Sequence, residues 1–209
     1  MQLAFCFCPT YSGLKTRRPG ISHIEWPAMG TMFSFQTYSA VTHGDRLQNL
    51  FEQWRARQTW ERVSGDITTA TEWMVGEFLA AGISKKLGVI GFCFGGGQLI
   101  SMLADDQALT FGAAVSFYGT RMDASAAANM KILVLFILGD EDPLCPVTGL
   151  EGIQKTIGRD SRVVIFKGRG HGFTVTHRPR SPEEDKDAEE AFVVMRNWLS
   201  EGLLGHQLK

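Results

Sequence analysis

Residues Leu87–Gly97 read LGVIGFCFGGG, an apolar run that ends at a cysteine with glycine two positions before it and two after it. A continuous apolar run of this length is typical of a strand that is covered on both faces of a sheet. The next residues, Gly95–Ala104, predict a helix. Small residues at 91 and 95 are needed where a strand and a helix pass close together at a sharp turn. The stretch therefore predicts a nucleophile elbow with Cys93 at its tip.

The cysteine at this tip is a candidate nucleophile. The bend requires a positive φ at Cys93 and lifts its sulfur out of the core, toward the amino end of the following helix. That end of a helix dipole favours the thiolate over the thiol. The alternative is a buried structural cysteine after a tight turn, since free cysteine behaves as a small hydrophobic residue. The agreement between the glycine spacing and the flanking elements favours the elbow.

Apolar runs and helical periodicities alternate along the chain after residue 60. We predict a helix that Asp66 caps and Gly82 ends, strands at Phe111–Phe117, Ile132–Leu138 and Arg162–Phe166, a helix at Val147–Ile157, and a last helix that begins with a capping box at Ser181-Pro182-Glu183-Glu184. Strands that alternate with helices in this way indicate parallel β-α units with helices on both sides of the sheet. The predicted fold class is α/β, with three layers.

The composition limits the possible partners. The chain has 209 residues, of which 44% are hydrophobic and 21% are charged, as expected for one globular domain. Its net charge of -1 gives no long-range attraction to nucleic acids or anionic membranes. The longest fully apolar stretch, Ile132–Leu138, is far shorter than the roughly 20 residues of a membrane-spanning helix. We therefore predict a soluble protein with neither a nucleic-acid nor a membrane partner. Four cysteines are too few for a disulfide scaffold and favour a reducing compartment.

An acidic turn follows the strand Ile132–Leu138 and reads GDEDP from Gly139. Acids at the carboxyl end of a parallel strand lie where such sheets build their sites, and a nucleophile's base needs an acid to orient it. Asp142 is the preferred acid, because it precedes a proline and lies deepest in the turn. Asp140 is the reserve, and an acidic surface turn is the alternative. Cys145, which has no elbow around it, is interpreted as structural.

The candidate base lies after the strand Arg162–Phe166, in the sequence GRGHGF. His171 has glycine on both sides in a loop, where no packing reason explains a histidine and where the loop is free to bring the ring to the sulfur. His177 is the only plausible substitute. The chain order of nucleophile, acid and base is that of the nucleophile-elbow hydrolases.

Three motifs together resemble the dienelactone hydrolase family of α/β-hydrolases, also called carboxymethylenebutenolidases: GFCFGGG, GDEDPLCP and GRGHGF. The resemblance covers about Phe51–Leu199 and is closest to the plant and algal homologues. It implies an α/β-hydrolase fold with a mostly parallel sheet. By motif position it also implies that Cys93 is the nucleophile, Asp142 the acid and His171 the base.

The resemblance further implies a hydrolase that opens small lactones or carboxylic esters through a thioester on the cysteine. The backbone N–H of Phe94 would hold the oxyanion, together with a second donor from an early loop. No metal or organic cofactor is required. Because the family's substrates are small carboxylated lactones, a cation is expected near the site, and Arg169, Arg178 and Arg180 are the candidates; a solvated loop arginine is the alternative for each. The protein is expected to be a monomer or a homodimer.

The sequence departs from the family before the elbow, where family members place several strands. We expect residues 1–60 to be a divergent segment, either a leader or partly disordered, and residues 61–203 to form the hydrolase domain. We expect the N-terminal strands to be missing or altered, which leaves no residue to assign as the second oxyanion donor. Two alternatives follow: a catalytically impaired, truncated variant, or a β-glucan hydrolase of the same fold, although no paired-carboxylate sugar site is evident.

The first 24 residues contain no acid but do contain Lys15, Arg17 and Arg18. This composition is compatible with an organelle transit peptide and also with a disordered leader. The protein is therefore expected in the cytoplasm, or in a plastid if this segment is a transit peptide.

Overall fold

The computed structural model of the protein describes residues 2–4, 53, 56–57, 59–80, 86–106, 110–175 and 181–204. The chain divides into two compact units, of which one is Thr37–Lys85 and the other is the remainder. Most of the predicted divergent segment, 1–60, lies outside the described residues. The elements are β1 (Gln2–Ala4), α1 (Trp60–Ala80), β2 (Leu87–Phe92), α2 (Phe94–Asp105), β3 (Phe111–Phe117), β4 (Leu133–Gly139), α3 (Val147–Ile157), β5 (Ser161–Phe166) and α4 (Pro182–Leu204).

The larger unit is built on a sheet whose strand order follows the chain, from β1 to β5. Strands β2 to β5 are parallel, and β1 pairs with β2 in the antiparallel direction. All residues of β2 and β3 are buried, as expected for strands that are covered on both faces. The four strands predicted from apolar runs are confirmed, and each boundary lies within one residue of the prediction.

Helices cover both faces of this sheet. The Ser116 hydroxyl of β3 donates a hydrogen bond to the carbonyl of Gly96 in α2, at 2.9 Å. The ring of the next residue, Phe117, lies against Phe192 of α4, with 5.7 Å between the centroids. Because successive strand residues point to opposite faces, α2 and α4 lie on opposite sides of the sheet. The predicted three-layer α/β arrangement is confirmed.

Helix α4 begins with the capping box that its sequence predicts. The Glu184 N–H donates to the Ser181 hydroxyl at 3.2 Å, and the Ser181 N–H donates to Glu184 Oε2 at 2.9 Å. The two bonds satisfy backbone donors that the first turn of a helix leaves unpaired. The buried face of the helix includes Ala188, Ala191, Met195 and Leu199, which follow one another at intervals of three or four residues, as expected for one side of a helix.

Helix α1, in the smaller unit, begins earlier than predicted. Its first residue is Trp60, and the hydroxyl of Thr59 accepts a hydrogen bond from the Arg62 N–H at 3.4 Å, so Thr59 takes the place of the cap assigned to Asp66. Val63 is buried in step with Ile67, so the apolar period extends one turn before Asp66. The predicted end at Gly82 lies outside the described residues.

Candidate active site

The turn between β2 and α2 has the geometry of a nucleophile elbow. Cys93 adopts φ 53° and ψ -123°, the strained backbone that the sequence predicts. A β-carbon on Gly91 would lie 2.7 Å from the carbonyl oxygen of Gly95, so only glycine fits there. Strain of this kind costs on the order of 1–3 kcal/mol and persists only where surrounding contacts fix it. Here the Cys93 carbonyl accepts hydrogen bonds from Gly97 N–H at 3.1 Å and Thr120 N–H at 3.0 Å.

Three side chains meet at the carboxyl edge of the sheet. His171 Nε2 lies 3.1 Å from the sulfur of Cys93. The opposite ring nitrogen, Nδ1, lies 2.7 Å from Asp142 Oδ2. The residues follow β2, β4 and β5, whose parallel carboxyl ends share one edge of the sheet. The structure therefore brings together the predicted nucleophile, acid and base in a continuous hydrogen-bonded chain.

The acid of this chain is itself held in place. The Asp142 side chain is fully buried, and its second oxygen, Oδ1, accepts hydrogen bonds from Leu144 N–H at 2.8 Å and Cys145 N–H at 3.2 Å. A buried carboxylate is tolerated only where it is hydrogen-bonded and paired. The two backbone bonds leave Oδ2 aimed at His171, so the imidazole is oriented with Nδ1 toward the acid and Nε2 toward the sulfur.

The electrostatics of the chain favour an ion pair between sulfur and imidazole. Burial opposes ionisation of Cys93, but the hydrogen bond and charge of His171 and the Phe94 N–H outweigh it and lower the pKa of the thiol. Burial likewise opposes protonation of His171, but its bonds to Asp142 and Cys93 raise the pKa of the imidazole to about 9. At neutral pH both shifts favour a thiolate beside an imidazolium, which is the reactive form of a catalytic cysteine.

Comparison with known proteins places the chain in a family. The sequence profile of the Dienelactone hydrolase family matches residues 32–203. The chain belongs to the dienelactone hydrolase family. It is 25% identical to the human carboxymethylenebutenolidase homolog over 159 residues, which cover 73% of this chain and 62% of that protein. The homolog of Xenopus tropicalis is 37% identical over 122 residues, which cover 55% of this chain and 48% of the relative. The chain thus spans about half to three fifths of these relatives.

Solved structures show the same fold for this family member. A putative dienelactone hydrolase from Klebsiella pneumoniae superposes with a TM-score of 0.55 at 20% identity, over 68% of this chain and 61% of that one. A dienelactone hydrolase-like promiscuous phosphotriesterase from metagenomic libraries gives a TM-score of 0.53 at 19% identity, over 76% of this chain and 68% of that one. At this identity the likeness establishes the α/β-hydrolase fold.

One residue of this family member's site was missed by the sequence reasoning. The ring of Tyr118 lies against that of His171, with 5.2 Å between centroids in an edge-on arrangement. Its hydroxyl is hydrogen-bonded to the hydroxyl of Thr174 at 2.8 Å, and the residue is buried at a positive φ of 37°. Tyr118 thereby braces one side of the imidazole. Its position directly after β3, at the carboxyl edge of the sheet, is a sequence signal that could have found it.

The remaining predicted site residues have different surroundings. Phe94 is the first residue of α2, and its N–H contributes to the lowered pKa of the neighbouring Cys93 thiol. Arg169 Nε donates to Asp187 Oδ2 of α4 at 2.6 Å. Arg178, Arg180 and His177 lie outside the described residues.

Two further groups near the acid have distinct roles. Asp140, the reserve acid, is exposed, and its Oδ1 accepts a hydrogen bond from the Gly168 N–H at 2.7 Å. Cys145 is buried, and burial together with the charge of Asp142 raises the pKa of its thiol to about 12. This second thiol therefore stays protonated at neutral pH, in agreement with its interpretation as structural.

The described part of the chain contains neither a metal-binding cluster nor a helix that could span a membrane. Among those residues, no cluster of histidine, cysteine and acidic side chains has the arrangement of a metal site. None of the described helices combines the length and hydropathy that crossing a bilayer requires.

Proposed function

We propose that this protein hydrolyses small lactones or carboxylic esters, with Cys93 as the nucleophile, His171 as the general acid and base, and Asp142 as the orienting acid. The observation that carries the proposal is the hydrogen-bonded chain from sulfur to carboxylate, with distances of 3.1 Å and 2.7 Å. Nucleophile and base within hydrogen-bond reach, and a base oriented by a third group, form the signature of nucleophilic catalysis. Membership of the dienelactone hydrolase family supports the same bond type.

The first half of the reaction forms a thioester. The Cys93 thiolate attacks the carbonyl carbon, and the negative charge moves to the carbonyl oxygen. The N–H of Phe94, at the amino end of α2 directly after Cys93, donates to this oxyanion. As the tetrahedral intermediate collapses, the carbon–oxygen bond to the leaving group breaks and His171 Nε2 gives its proton to the departing alkoxide. A lactone opens at this step and stays attached as a hydroxyacyl thioester.

The second half of the reaction releases the acid. The ring of His171, now neutral, takes a proton from a water molecule at Nε2, and the hydroxide attacks the thioester carbonyl. The carbon–sulfur bond breaks, and Cys93 leaves as a thiolate beside the imidazolium, which restores the resting ion pair. Asp142 keeps Nδ1 protonated throughout, so only Nε2 exchanges protons with the reacting groups.

Recognition of a carboxylated substrate requires a cation near the sulfur. Arg178 and Arg180 follow the histidine loop in sequence and are proposed for this role. Arg169 is a third candidate, although its Nε is engaged by Asp187. A substrate carboxylate bound by one of these side chains would hold the scissile carbonyl within reach of the thiolate, and its loss would raise KM more than it lowers kcat.

The proposal is tested by release of nitrophenol from a short-chain nitrophenyl ester, with wild type and Cys93→Ala compared at equal folded concentration. We expect turnover by the wild type and none by the variant. Iodoacetamide titration with peptide mapping is the companion measurement, because Cys145, with its raised pKa, serves as an internal unreactive thiol. Equal turnover by both proteins, or equal alkylation of Cys93 and Cys145, would overturn the assignment of the nucleophile.

A further inference from the structure

The loop that carries His171 is tied to the rest of the protein by two acidic side chains. At its start, the Gly168 N–H donates to Asp140 Oδ1 at 2.7 Å. One residue later, Arg169 Nε donates to Asp187 Oδ2 at 2.6 Å, and both side chains of this ion pair are mostly buried, at 17% and 25% exposure. Asp140 belongs to the turn after β4 and Asp187 to α4, so the loop is fastened to two separate elements.

The backbone reinforces the first of these attachments. The Glu141 N–H donates to the Arg169 carbonyl at 3.1 Å, and the Asp140 N–H donates to the Phe166 carbonyl at 3.2 Å. A β-carbon on Gly139 would overlap the Arg169 carbonyl group, so the loop and the turn lie in direct contact. The turn that supplies the orienting acid is therefore also the support for the loop that supplies the base.

The loop needs such supports because of its own composition. His171 stands between two glycines, and Gly168 and Gly172 adopt positive φ values of 65° and 75°. Glycine allows many backbone conformations, so this segment has little intrinsic preference for the one observed. The bond from His171 Nε2 to the sulfur nevertheless requires a defined ring position, and a misplacement of 1 Å costs on the order of 10²-fold in rate.

We propose that Asp140 and Asp187 are positioning residues, which hold the His171 loop, directly at Gly168 and through Arg169 respectively, so that the imidazole stays in reach of Cys93. The rate effects expected below rest on the proposed function. The ionisation of Cys93 does not, because the thiolate is stabilised by His171 whether or not an ester is hydrolysed.

The first test measures how the rate of Cys93 alkylation by iodoacetamide depends on pH in Asp140→Ala. If the anchor positions His171, its loss moves the midpoint upward, toward the value of about 8.5 of a free thiol. Loss of a negative charge alone would move the midpoint the other way, since a nearby anion disfavours the thiolate. Asp140→Asn keeps an oxygen acceptor for Gly168 and should restore most of the wild-type profile.

The matched control is Glu141→Ala, which removes one acid from the same turn but keeps the Glu141 N–H. It should leave the alkylation profile at or slightly below the wild-type midpoint. An Asp140→Ala profile that coincides with that of Glu141→Ala would overturn the role of Asp140. If Asp140→Ala does not fold, Asp140→Glu carries the same expectation, because its extra methylene displaces the carboxylate from Gly168.

The second test separates positioning by Arg169 from substrate binding by the same side chain. Positioning predicts that Arg169→Ala and Asp187→Ala each lower kcat on the order of 10-fold, and that the double variant is no worse than either single one, because both break one ion pair. Substrate binding predicts a raised KM in Arg169→Ala and no change in Asp187→Ala. That second pattern would overturn the role of Asp187. Glu190→Ala, an exposed acid on α4, is the control.

The two proposals fail in different ways. If the wild type hydrolyses no ester, the proposed function fails, but the alkylation profiles of Asp140→Ala and Asp187→Ala still measure the position of His171 relative to Cys93. If the wild type is active and these profiles do not move, the positioning proposal is wrong and the proposed function stands.

Discussion

Replacement of Asp142 by asparagine isolates the role of the buried carboxylate, because the two side chains have nearly the same shape. Oδ1 of the new amide can still accept the hydrogen bonds from Leu144 and Cys145 N–H, which now measure 2.8 Å and 3.2 Å. Its NH₂ group then faces His171 Nδ1, where the carboxylate oxygen lies at 2.7 Å. A donor in that position favours the neutral tautomer with the proton on Nε2. This tautomer cannot take a proton from the thiol or from water.

The expected loss follows from the pKa of His171. Burial lowers this pKa, but the bonds to Asp142 and Cys93 raise it from 6.5 to about 9. If the pKa returned to its ordinary value, the imidazolium would be destabilised relative to the neutral ring by at most about 3 kcal/mol. This lowers the population of the ion pair by a factor on the order of 10². The wrong tautomer adds to this loss, and the corresponding change in a serine protease triad costs about 10⁴ in kcat. We expect Asp142→Asn to lose about 10³-fold in kcat/KM.

The assay is nitrophenyl ester hydrolysis across pH, with the iodoacetamide rate of Cys93 measured on the same samples. Asp142→Asn should react with iodoacetamide only at higher pH than the wild type, because His171 no longer stabilises the thiolate. Glu141→Gln removes a charge from the same turn and should match the wild type in both measurements. The reasoning would be refuted if folded Asp142→Asn kept the wild-type pH profile and turned over within a few-fold of the wild type.

Three further predictions concern pH and packing. The raised pKa of His171 contributes fully to the free energy of unfolding below pH 6.5, and this contribution is lost as pH rises through about 9, whereas the lowered pKa of Cys93 contributes fully above the ordinary thiol pKa and is lost as pH falls. The two contributions oppose each other between pH 6.5 and about 9, so the net pH dependence of the pair should be weak there; denaturant titrations of wild type and Cys93→Ala across pH check this. Gly91→Ala places a β-carbon 2.7 Å from backbone and should cost about 3 kcal/mol or more, whereas Gly152→Ala, with nothing within 4 Å, should be neutral or stabilising in thermal melts. Tyr118→Phe removes the hydrogen bond between the Tyr118 and Thr174 hydroxyls and should cost about 0.5–1.5 kcal/mol in chemical denaturation, with kcat lowered and KM unchanged.

Strands β2, β3 and β4 could be predicted from the sequence because each is an apolar run in which nearly every residue is buried. Strand β5 was predicted from its apolar residues Val163–Phe166, although Arg162 and Ile165 are exposed. Such runs can be recognised without knowing which strands lie beside them, and their ends are marked by polar or glycine residues, as at Gly139, the last residue of β4. The elbow could also be predicted from local sequence, because the atoms that exclude a side chain at Gly91 belong to Gly95, only four residues away. The predicted start of α1 was wrong because Thr59 and Asp66 are both good capping residues. Which of them caps the helix depends on which turn buries its apolar side chains, and the sequence does not show this.

The site could be predicted only in part, because its finer contacts are long-range. Tyr118 reaches His171 from another strand end, 53 residues away in the numbering, and no spacing rule connects them. The ion pair of Arg169 with Asp187 likewise depends on how α4 packs over the sheet. From the sequence alone, an arginine beside a catalytic loop suggests a role in substrate binding. The ion pair with Asp187 of α4 indicates instead that Arg169 attaches the loop to this helix.

The turn GDEDP shows how one short segment serves two purposes through side-chain direction. Asp142 is buried and Asp140 is exposed, although only one residue separates them. The buried acid is enclosed by backbone N–H donors and faces the imidazole, so its charge acts at low dielectric and perturbs His171 strongly. The exposed acid is screened by water and affects the ring only through the position of the loop that it holds. Asp140 therefore cannot replace Asp142 as the orienting acid, even though the sequence alone allows either. Replacement of Asp142 should change the tautomer and the pKa of His171, whereas replacement of Asp140 should displace the loop that carries the ring.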